Sequence, residues 1–204
     1  MSELLTAAMR EHRLRFMHVG GPVADRAQAV ALHTALGAAK WAHGEPRSYT
    51  TYDGERGRLV NNTLRISYGK LPGGSVVELV EPSPDDGDTP QNRLLAERPG
   101  LSHVAFWCDD VPAAGSALLD AGATLWTAST VDAAAWPALL EAGPRALLQT
   151  LAVCYLRLPD GELVELVSTA MWPNTMAALL GDAVLDVFDE PRRPRVDAQP
   201  LFNK

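Results

Sequence analysis

Two carboxylates interrupt runs of apolar residues in this sequence. Glu78 lies within the run 76–80 (VVELV), and Glu165 lies within the run 163–167 (LVELV). A buried carboxylate costs several kcal/mol unless it is paired with a cation or binds a metal. Because side chains alternate along a strand, each glutamate shares one strand face with apolar neighbours. These two residues are therefore candidates for chemistry rather than for packing.

Two histidines stand in equally apolar surroundings. His18 and His103 each lie in a short segment rich in strand-forming residues. A single histidine in a strand is more commonly a core residue, and a single glutamate more commonly pairs with arginine. Two imidazoles and two carboxylates at equivalent places of a repeat instead indicate a divalent metal with nitrogen and oxygen ligands and open positions. The predicted metal ligands are His18, Glu78, His103 and Glu165.

An internal repeat places these four residues in equivalent positions. The segments LPGGSVVELV (71–80) and LPDGELVELV (158–167) agree at seven of ten positions and lie 87 residues apart. Upstream, His18 and His103 align at an offset of 85 residues. Two independent matches at nearly one offset indicate a tandem duplication. A near-twofold axis between the two halves would bring the histidines and glutamates to one point.

The same pattern of elements is predicted in each half. Strands are expected at 14–19 and 101–108, followed by helices at 23–36 and 111–121 that end at Gly37 and Gly122. Three further strands follow in each half, and a Pro/Gly turn at 72–74 or 159–161 makes the last hairpin. Each half therefore has the order β-α-β-β-β.

These elements predict an α+β fold in which two tandem β-α-β-β-β modules form a cupped mixed sheet around a metal site. The modules span 14–82 and 100–170, and the second carries an insertion at 129–150. Long additions to a compact repeat are often lids, so we expect this insertion to cover one side of the metal cavity or to pack on a partner subunit. Outside the modules we expect a helix at 2–13, a short helical piece near 92–97, and a C-terminal extension at 171–204 that starts with a helix at 175–188.

Composition and charge exclude several classes of protein. The chain has 204 residues, of which 47% are hydrophobic and 21% charged, so it should fold around a core. A net charge of −7 argues against a nucleic-acid partner.

Cys108 and Cys154 lie in apolar runs without metal-ligand spacing, as expected of buried thiols in a reducing compartment. The sequence shows no secretory signal and no apolar stretch long enough to span a membrane. We therefore expect a cytoplasmic protein.

Four segments carry a resemblance to a known superfamily: MHVGGPVAD, the strand end ELVEP, GLSHVAFWCDDV and LPDGELVELV. Over residues 14–170 the chain resembles the vicinal oxygen chelate superfamily, which includes glyoxalase I, methylmalonyl-CoA epimerase, fosfomycin and bleomycin resistance proteins and extradiol dioxygenases. The stretch from ELVEP to GLSHVAFWCDDV is most similar to the epimerase and glyoxalase-like branch. The resemblance implies paired modules around a metal, with ligands at His18, Glu78, His103 and Glu165.

The expected reaction is proton transfer next to a carbonyl, as in a metal-dependent lyase, isomerase or epimerase. A divalent metal polarises the carbonyl and stabilises an enolate, while a nearby carboxylate acts as the base. By resemblance to glyoxalase I, Glu78 and Glu165 are both ligands and candidate bases. By resemblance to the epimerases, the base is a separate glutamate near the second strand, where this chain has Glu55; a solvated turn is the competing interpretation of Glu55.

Two alternatives are also considered. His18, His103 and Glu165 match the two-histidine, one-carboxylate set of Fe(II) dioxygenases, although Glu78 then occupies a position that oxygen chemistry needs. A non-catalytic protein that binds an antibiotic or another small molecule would not require the full ligand set. The expected substrate is a small molecule with a carbonyl or vicinal oxygens. Among metals the sequence leaves Zn, Ni, Co, Mn and Fe open, and it leaves a homodimer open.

Overall fold

The strands of the protein form a closed ring. The computed structural model describes residues 3–129, 134, 136–149, 151, 153–170, 176–177 and 180–188. Within these residues the sheet has nine strands in the order β2-β4-β3-β7-β8-β9-β6-β1-β5, and β5 pairs in addition with β4. Eight strands therefore close on themselves, and β2 extends the sheet beside the second half of β4.

The first module confirms the predicted α+β pattern. After α1 (Glu3–Glu11), it consists of β1 (Arg15–Pro22), α2 (Arg26–Ala35), β2 (Ala39–His43), β3 (Arg47–Asp53), β4 (Arg58–Lys70) and β5 (Val76–Pro82). The sequence analysis missed β2, which is separated from β3 by the segment 44–46 (GEP). Glycine and proline interrupt a strand pattern, so the second strand of this module is made in two pieces.

The second module repeats the first. A 3₁₀ turn (Pro84–Asp86) and α3 (Pro90–Glu97) lead into β6 (His103–Cys108), α4 (Val111–Asp120), β7 (Thr124–Ser129), α5 (Trp136–Ala142), α6 (Pro144–Leu148), β8 (Val153–Arg157) and β9 (Leu163–Ser168). Equivalent aspartates cap the two module helices. Asp25 accepts a hydrogen bond from the amide of Gln28, and Asp110 accepts one from the amide of Ala113, each at 2.9 Å.

Two junctions join the modules into one sheet. β1 pairs with β6 in antiparallel orientation, and β3 pairs with β7 over Thr51–Asp53 and Thr127–Ser129. Within the modules, the first and last strands run parallel to each other (β1 with β5, β6 with β9). The sheet is therefore mixed, as predicted, and the second junction turns the expected cup into a ring.

Alternate residues of the strands face opposite sides of the ring. On β6, Phe106 and Cys108 belong to a large core cluster on the outer face, together with α1 and α4. Ala105 and Trp107 belong to a second cluster on the inner face, on the same side as His103. Cys108 and Cys154 are free thiols in the outer cluster, as predicted.

The prediction that the insertion covers the metal cavity is wrong for its described part. Trp136, Leu147 and Leu148 pack into the outer cluster, and α6 lies against α4, where an added Cβ on Gly115 would come within 2.9 Å of Leu148. The outer surface of the second module is strongly apolar, and the two short helices bury it. The insertion therefore stabilises the module from outside.

The C-terminal extension, not the insertion, lies against the inner face. Its described residues include a 3₁₀ helix (Asp182–Asp186) and contribute Met176, Leu180, Val184, Val187 and Phe188 to the inner cluster. The helix predicted over 175–188 lies partly outside the described residues. This segment closes the end of the ring where β1 begins and β6 ends.

The opposite end of the ring is closed by α3. Leu94 packs against Trp126 and Leu163, and Arg93 forms an ion pair with the buried Asp53 at 2.8 Å. The short helix expected near 92–97 is thus confirmed, and its position over this end of the ring is a finding of the structure. Among the described residues, no helix has the length and apolar character needed to cross a membrane.

Candidate metal centre

The four predicted ligands lie on four adjacent strands of the ring. His18 is on β1, Glu78 on β5, His103 on β6 and Glu165 on β9. These strands are neighbours in the order β9-β6-β1-β5, and their register puts Glu165 level with His18 and puts Glu78 and His103 level with Gly20, two residues further along β1. The tandem repeat therefore places residues from both halves side by side, as the sequence analysis expected.

Small residues create the space between the ligands. Gly20 pairs with Glu78 on one side and with His103 on the other, and Ala105 pairs with His18 and Glu165. A Cβ atom on Gly20 would lie 2.7 Å from Cε1 of His103 and 2.8 Å from Cβ of Glu78. Since real Cβ atoms do not approach so closely, this position requires glycine.

The ligand atoms converge at distances that suit a metal ion. Nε2 of His18 lies 3.2 Å from Nε2 of His103 and 3.1 Å from Oε2 of Glu165. The other three nitrogen–oxygen distances are 3.3, 3.4 and 3.6 Å. Ligands at about 2.0–2.2 Å from a divalent ion are about 3.3–3.6 Å apart in a tetrahedron and about 3.0 Å apart at neighbouring octahedral positions. The four side chains therefore form a group that can hold a metal ion.

Burial and missing hydrogen bonds support the same conclusion. His18 is fully buried, and the other three ligands are at most 6% exposed. The Oε2 atoms of Glu78 and Glu165 lack a hydrogen-bond partner of good geometry among the described residues. Two buried carboxylate oxygens without partners are expensive unless a cation lies between them.

Without a cation, the histidines act as the positive partners. Burial alone would lower the pKa of His18, but the carboxylate charges of Glu165 and Glu78 outweigh it and raise the pKa to about 9. The pKa of His103 is raised in the same way. Burial alone would raise the pKa of Glu78 and Glu165, and the two histidines lower it instead. Both carboxylates are thus held in the charged form that binds a metal.

Each ligand glutamate has a tyrosine partner that the sequence analysis missed. The Tyr68 hydroxyl donates a short hydrogen bond to Oε1 of Glu78, and the Tyr155 ring lies against His103 with 5.3 Å between the ring centroids. In the sheet, Tyr68 pairs directly with Glu78 and Tyr155 directly with Glu165. The signal was present, because the two tyrosines are 87 residues apart, the same offset that relates the two glutamates.

The two sides of the centre have different surroundings. Phe188 of the C-terminal extension lies 5.4 Å from the Tyr68 ring and 6.5 Å from the His18 ring, measured between centroids. On the other side, Tyr155 contacts Trp126, over which the Arg157 guanidinium lies at 5.8 Å from the ring centroid. Among the described residues the first side is lined by aromatic rings, and the second leads to charged groups.

Glu55, the predicted separate base, lies in the turn between β3 and β4, apart from the four-ligand group. Its Oε2 atom accepts hydrogen bonds from Arg93, and its Oε1 atom accepts one from Arg157 at 3.2 Å. The side chain is 41% exposed. This glutamate therefore belongs to an ion-pair network at the end of the ring that α3 covers.

Comparisons with known proteins agree with this fold. A family model described as the glyoxalase/bleomycin resistance protein/dioxygenase superfamily matches residues 17–139. No curated protein matches the chain significantly.

Several solved structures are similar to the chain. A variant of methylmalonyl-CoA epimerase from Streptomyces coelicolor, in complex with 2-nitronate-propionyl-CoA, is 19% identical with a TM-score of 0.39; the match covers 76% of this chain and 94% of the epimerase. A methylmalonyl-CoA epimerase in complex with methylmalonyl-CoA and NH4+ is 18% identical, with a TM-score of 0.36 and coverages of 77% and 95%. A glyoxalase family protein from Bacillus cereus is 19% identical, with a TM-score of 0.26 and coverages of 76% and 93%.

Proposed function

We propose, from the premise that this chain belongs to the glyoxalase/bleomycin resistance protein/dioxygenase superfamily, that it is a metal-dependent enzyme which moves a proton next to a substrate carbonyl. The observation that carries the proposal is the convergence of two carboxylates and two imidazoles in one buried group. Two ligand carboxylates provide both a charge for the metal and a base for the substrate. The reaction class is that of a lyase or an isomerase, including epimerases.

The metal would be held by Nε2 of His18 and His103 and by Oε2 of Glu78 and Glu165. A bound divalent ion would polarise the substrate carbonyl and stabilise the negative charge that develops on its oxygen. Since imidazole and carboxylate ligands suit Zn, Ni, Co, Mn and Fe alike, the ligand set alone does not choose the metal.

The base is Glu78 or Glu165. One of these carboxylates takes the proton from the carbon next to the carbonyl, and the electron pair of that C–H bond moves to the carbonyl oxygen as an enolate. The same group then returns the proton to that carbon or to its neighbour. A carboxylate is a weak base in water, so the reaction depends on a metal-polarised carbonyl to make the neighbouring C–H proton acidic enough for the transfer.

Glu55 is not the proposed base. Both of its carboxylate oxygens are held by arginines, and it stands in a half-exposed turn. Hydrogen bonds from the arginines occupy the oxygen atoms that would have to accept the proton. We therefore place proton transfer on the ligand carboxylates.

The dioxygenase alternative would use His18, His103 and Glu165 and leave three positions free. Glu78 lies as close to both histidines as Glu165 does, to within about half an ångström. A fourth ligand at that distance favours proton transfer over oxygen chemistry. A binding protein without catalysis would have no need of two buried, unpartnered carboxylate oxygens.

Metal content and solvent exchange together test the proposal. The protein is purified without added metal and its metal content measured, and it is then incubated in heavy water with an acyl-CoA thioester, a 2-oxo acid or a 2-hydroxyketone. Deuterium uptake next to the carbonyl that needs the metal but no dioxygen supports the proposal. Oxygen consumption with Fe²⁺ and no exchange would contradict it, as would ligand binding with neither exchange nor oxygen use.

A further inference from the structure

The two halves of the metal centre repeat a unit of three residues rather than two. In the first module the Tyr68 ring meets the His18 ring at 5.4 Å and 75°, while its hydroxyl donates to Glu78. In the second module the Tyr155 ring meets the His103 ring at 5.3 Å and 89°, while Tyr155 pairs with Glu165 across β8 and β9. A packing accident in one module would not reappear with the same contacts in the other.

We propose that Tyr68 and Tyr155 are positioning residues for the metal ligands, each holding the glutamate of its own module so that one oxygen is turned to the shared metal position and the other is retained by the tyrosine. The inference rests on the metal centre of the proposed function and goes beyond it by adding these two residues. Neither tyrosine hydroxyl is required to touch the substrate.

The contacts of Glu78 show how a tyrosine can position its glutamate. Oε1 accepts from the Tyr68 hydroxyl, and Oε2 lies 3.3 and 3.6 Å from the two histidine Nε2 atoms. A hydrogen bond at Oε1 turns Oε2 toward the histidines and favours binding of a metal through that one oxygen. Coordination positions that a two-oxygen contact would consume therefore remain free for substrate.

Each tyrosine can only donate to its glutamate, because an ionised carboxylate accepts hydrogen bonds and has no hydrogen to give. Tyr68 is 3% exposed and lies against the His18 ring, and Tyr155 lies against the His103 ring. Each ring edge against a histidine also limits how far that imidazole can rotate.

Binding of Co²⁺ tests the proposal with a readout that does not depend on activity. Tyr68→Phe and Tyr155→Phe keep the ring and its contacts but remove the hydroxyl. Outer groups of this kind commonly change metal affinity by about 10–100-fold, so we expect Co²⁺ to bind more weakly by that factor in both variants. At saturating Co²⁺ we also expect weaker visible absorption bands, because the released carboxylate oxygen raises the coordination number.

Tyr52→Phe is the matched control. Tyr52 lies on β3 against Trp136 on the outer face of the ring, so its hydroxyl has no connection to the ligands. This variant should bind Co²⁺ like the wild type, and thermal unfolding of the metal-free proteins shows whether all three variants are folded.

Each outcome has a clear meaning. If either Tyr68→Phe or Tyr155→Phe leaves the Co²⁺ affinity and the absorption spectrum unchanged, the proposal that both tyrosines position the ligand glutamates is wrong. The metal centre of the proposed function is not affected by that outcome. A wild-type protein that binds no Co²⁺ would instead remove the metal centre and the tyrosine proposal together.

Discussion

Nε2 of His18 lies 3.2 Å from Nε2 of His103, although the two residues are 85 positions apart and belong to different modules. Two nitrogens at this distance face the same small space, which protons or a cation can occupy. In the metal-free protein the charges of Glu78 and Glu165 favour protons on both rings. Protons and metal therefore compete for the same two nitrogen atoms.

Metal affinity should consequently increase with pH. Because the pKa of His18 is about 9 in the metal-free protein, a metal that binds at pH 6 or 7 must displace a proton from this ring. We expect Kd to fall by about tenfold per pH unit for each displaced proton, up to the pKa of the histidines. Calorimetric titration in buffers with different ionisation enthalpies counts the released protons. An affinity that stays constant from pH 6 to 9 would contradict the competition.

Gly20 should be as important to the centre as a ligand. Gly20→Ala places a Cβ against His103 and Glu78 at less than 3 Å, so these side chains must move away from the shared position. We expect metal binding to weaken by at least an order of magnitude, about 1.4 kcal/mol or more. Ala105→Gly, at the equivalent place of the second module, removes a Cβ without creating a clash and serves as the control. Equal affinities in the two variants would show that the close approach does not matter.

The convergence of His18, Glu78, His103 and Glu165 could be predicted from the sequence because it does not depend on knowing how the strands pair. A duplicated chain places equivalent residues around one axis, so His18 and His103 pointed to the same location before any geometry was known. Tyr68 and Tyr155 are also at equivalent positions of the repeat, but tyrosine is common in strands, so its residue type alone does not indicate a site. The repeat offset, rather than residue type, was the better signal.

Features that depend on contact between distant surfaces were harder to predict. Pairing of β3 with β7 closes the ring through backbone hydrogen bonds, which leave little trace in side-chain patterns. The insertion and the C-terminal extension are both apolar, so length alone could not show which of them covers the ligands. The sequence contains a clue, because Met176, Leu180, Val184 and Phe188 recur every four residues and all belong to the inner cluster.

Isosteric changes at the two ligand glutamates identify the base. Glu78→Gln and Glu165→Gln each keep an oxygen ligand but remove a strong proton acceptor. The variant that lacks the base should lose solvent exchange by a factor of about 10²–10⁴, with a much smaller loss of metal. Deuterium uptake by NMR and metal content are measured on the same samples. If both variants exchange like the wild type, the base is neither glutamate, and Glu55→Gln becomes the decisive variant.

Phe188 should control how easily the metal leaves the centre. The Phe188 ring packs against Tyr68, His18 and Trp107. Phe188→Ala therefore removes an apolar side chain that covers the ligands. Trp136→Ala is the matched comparison, because Trp136 is equally buried but lies in the outer cluster. Each change should lower the free energy of unfolding, by up to about 3–5 kcal/mol for a fully buried ring. Only Phe188→Ala should speed the loss of metal to a chelator, measured well below both unfolding midpoints. If only Trp136→Ala loses metal faster than the wild type, the insertion rather than the C-terminal extension covers the metal centre.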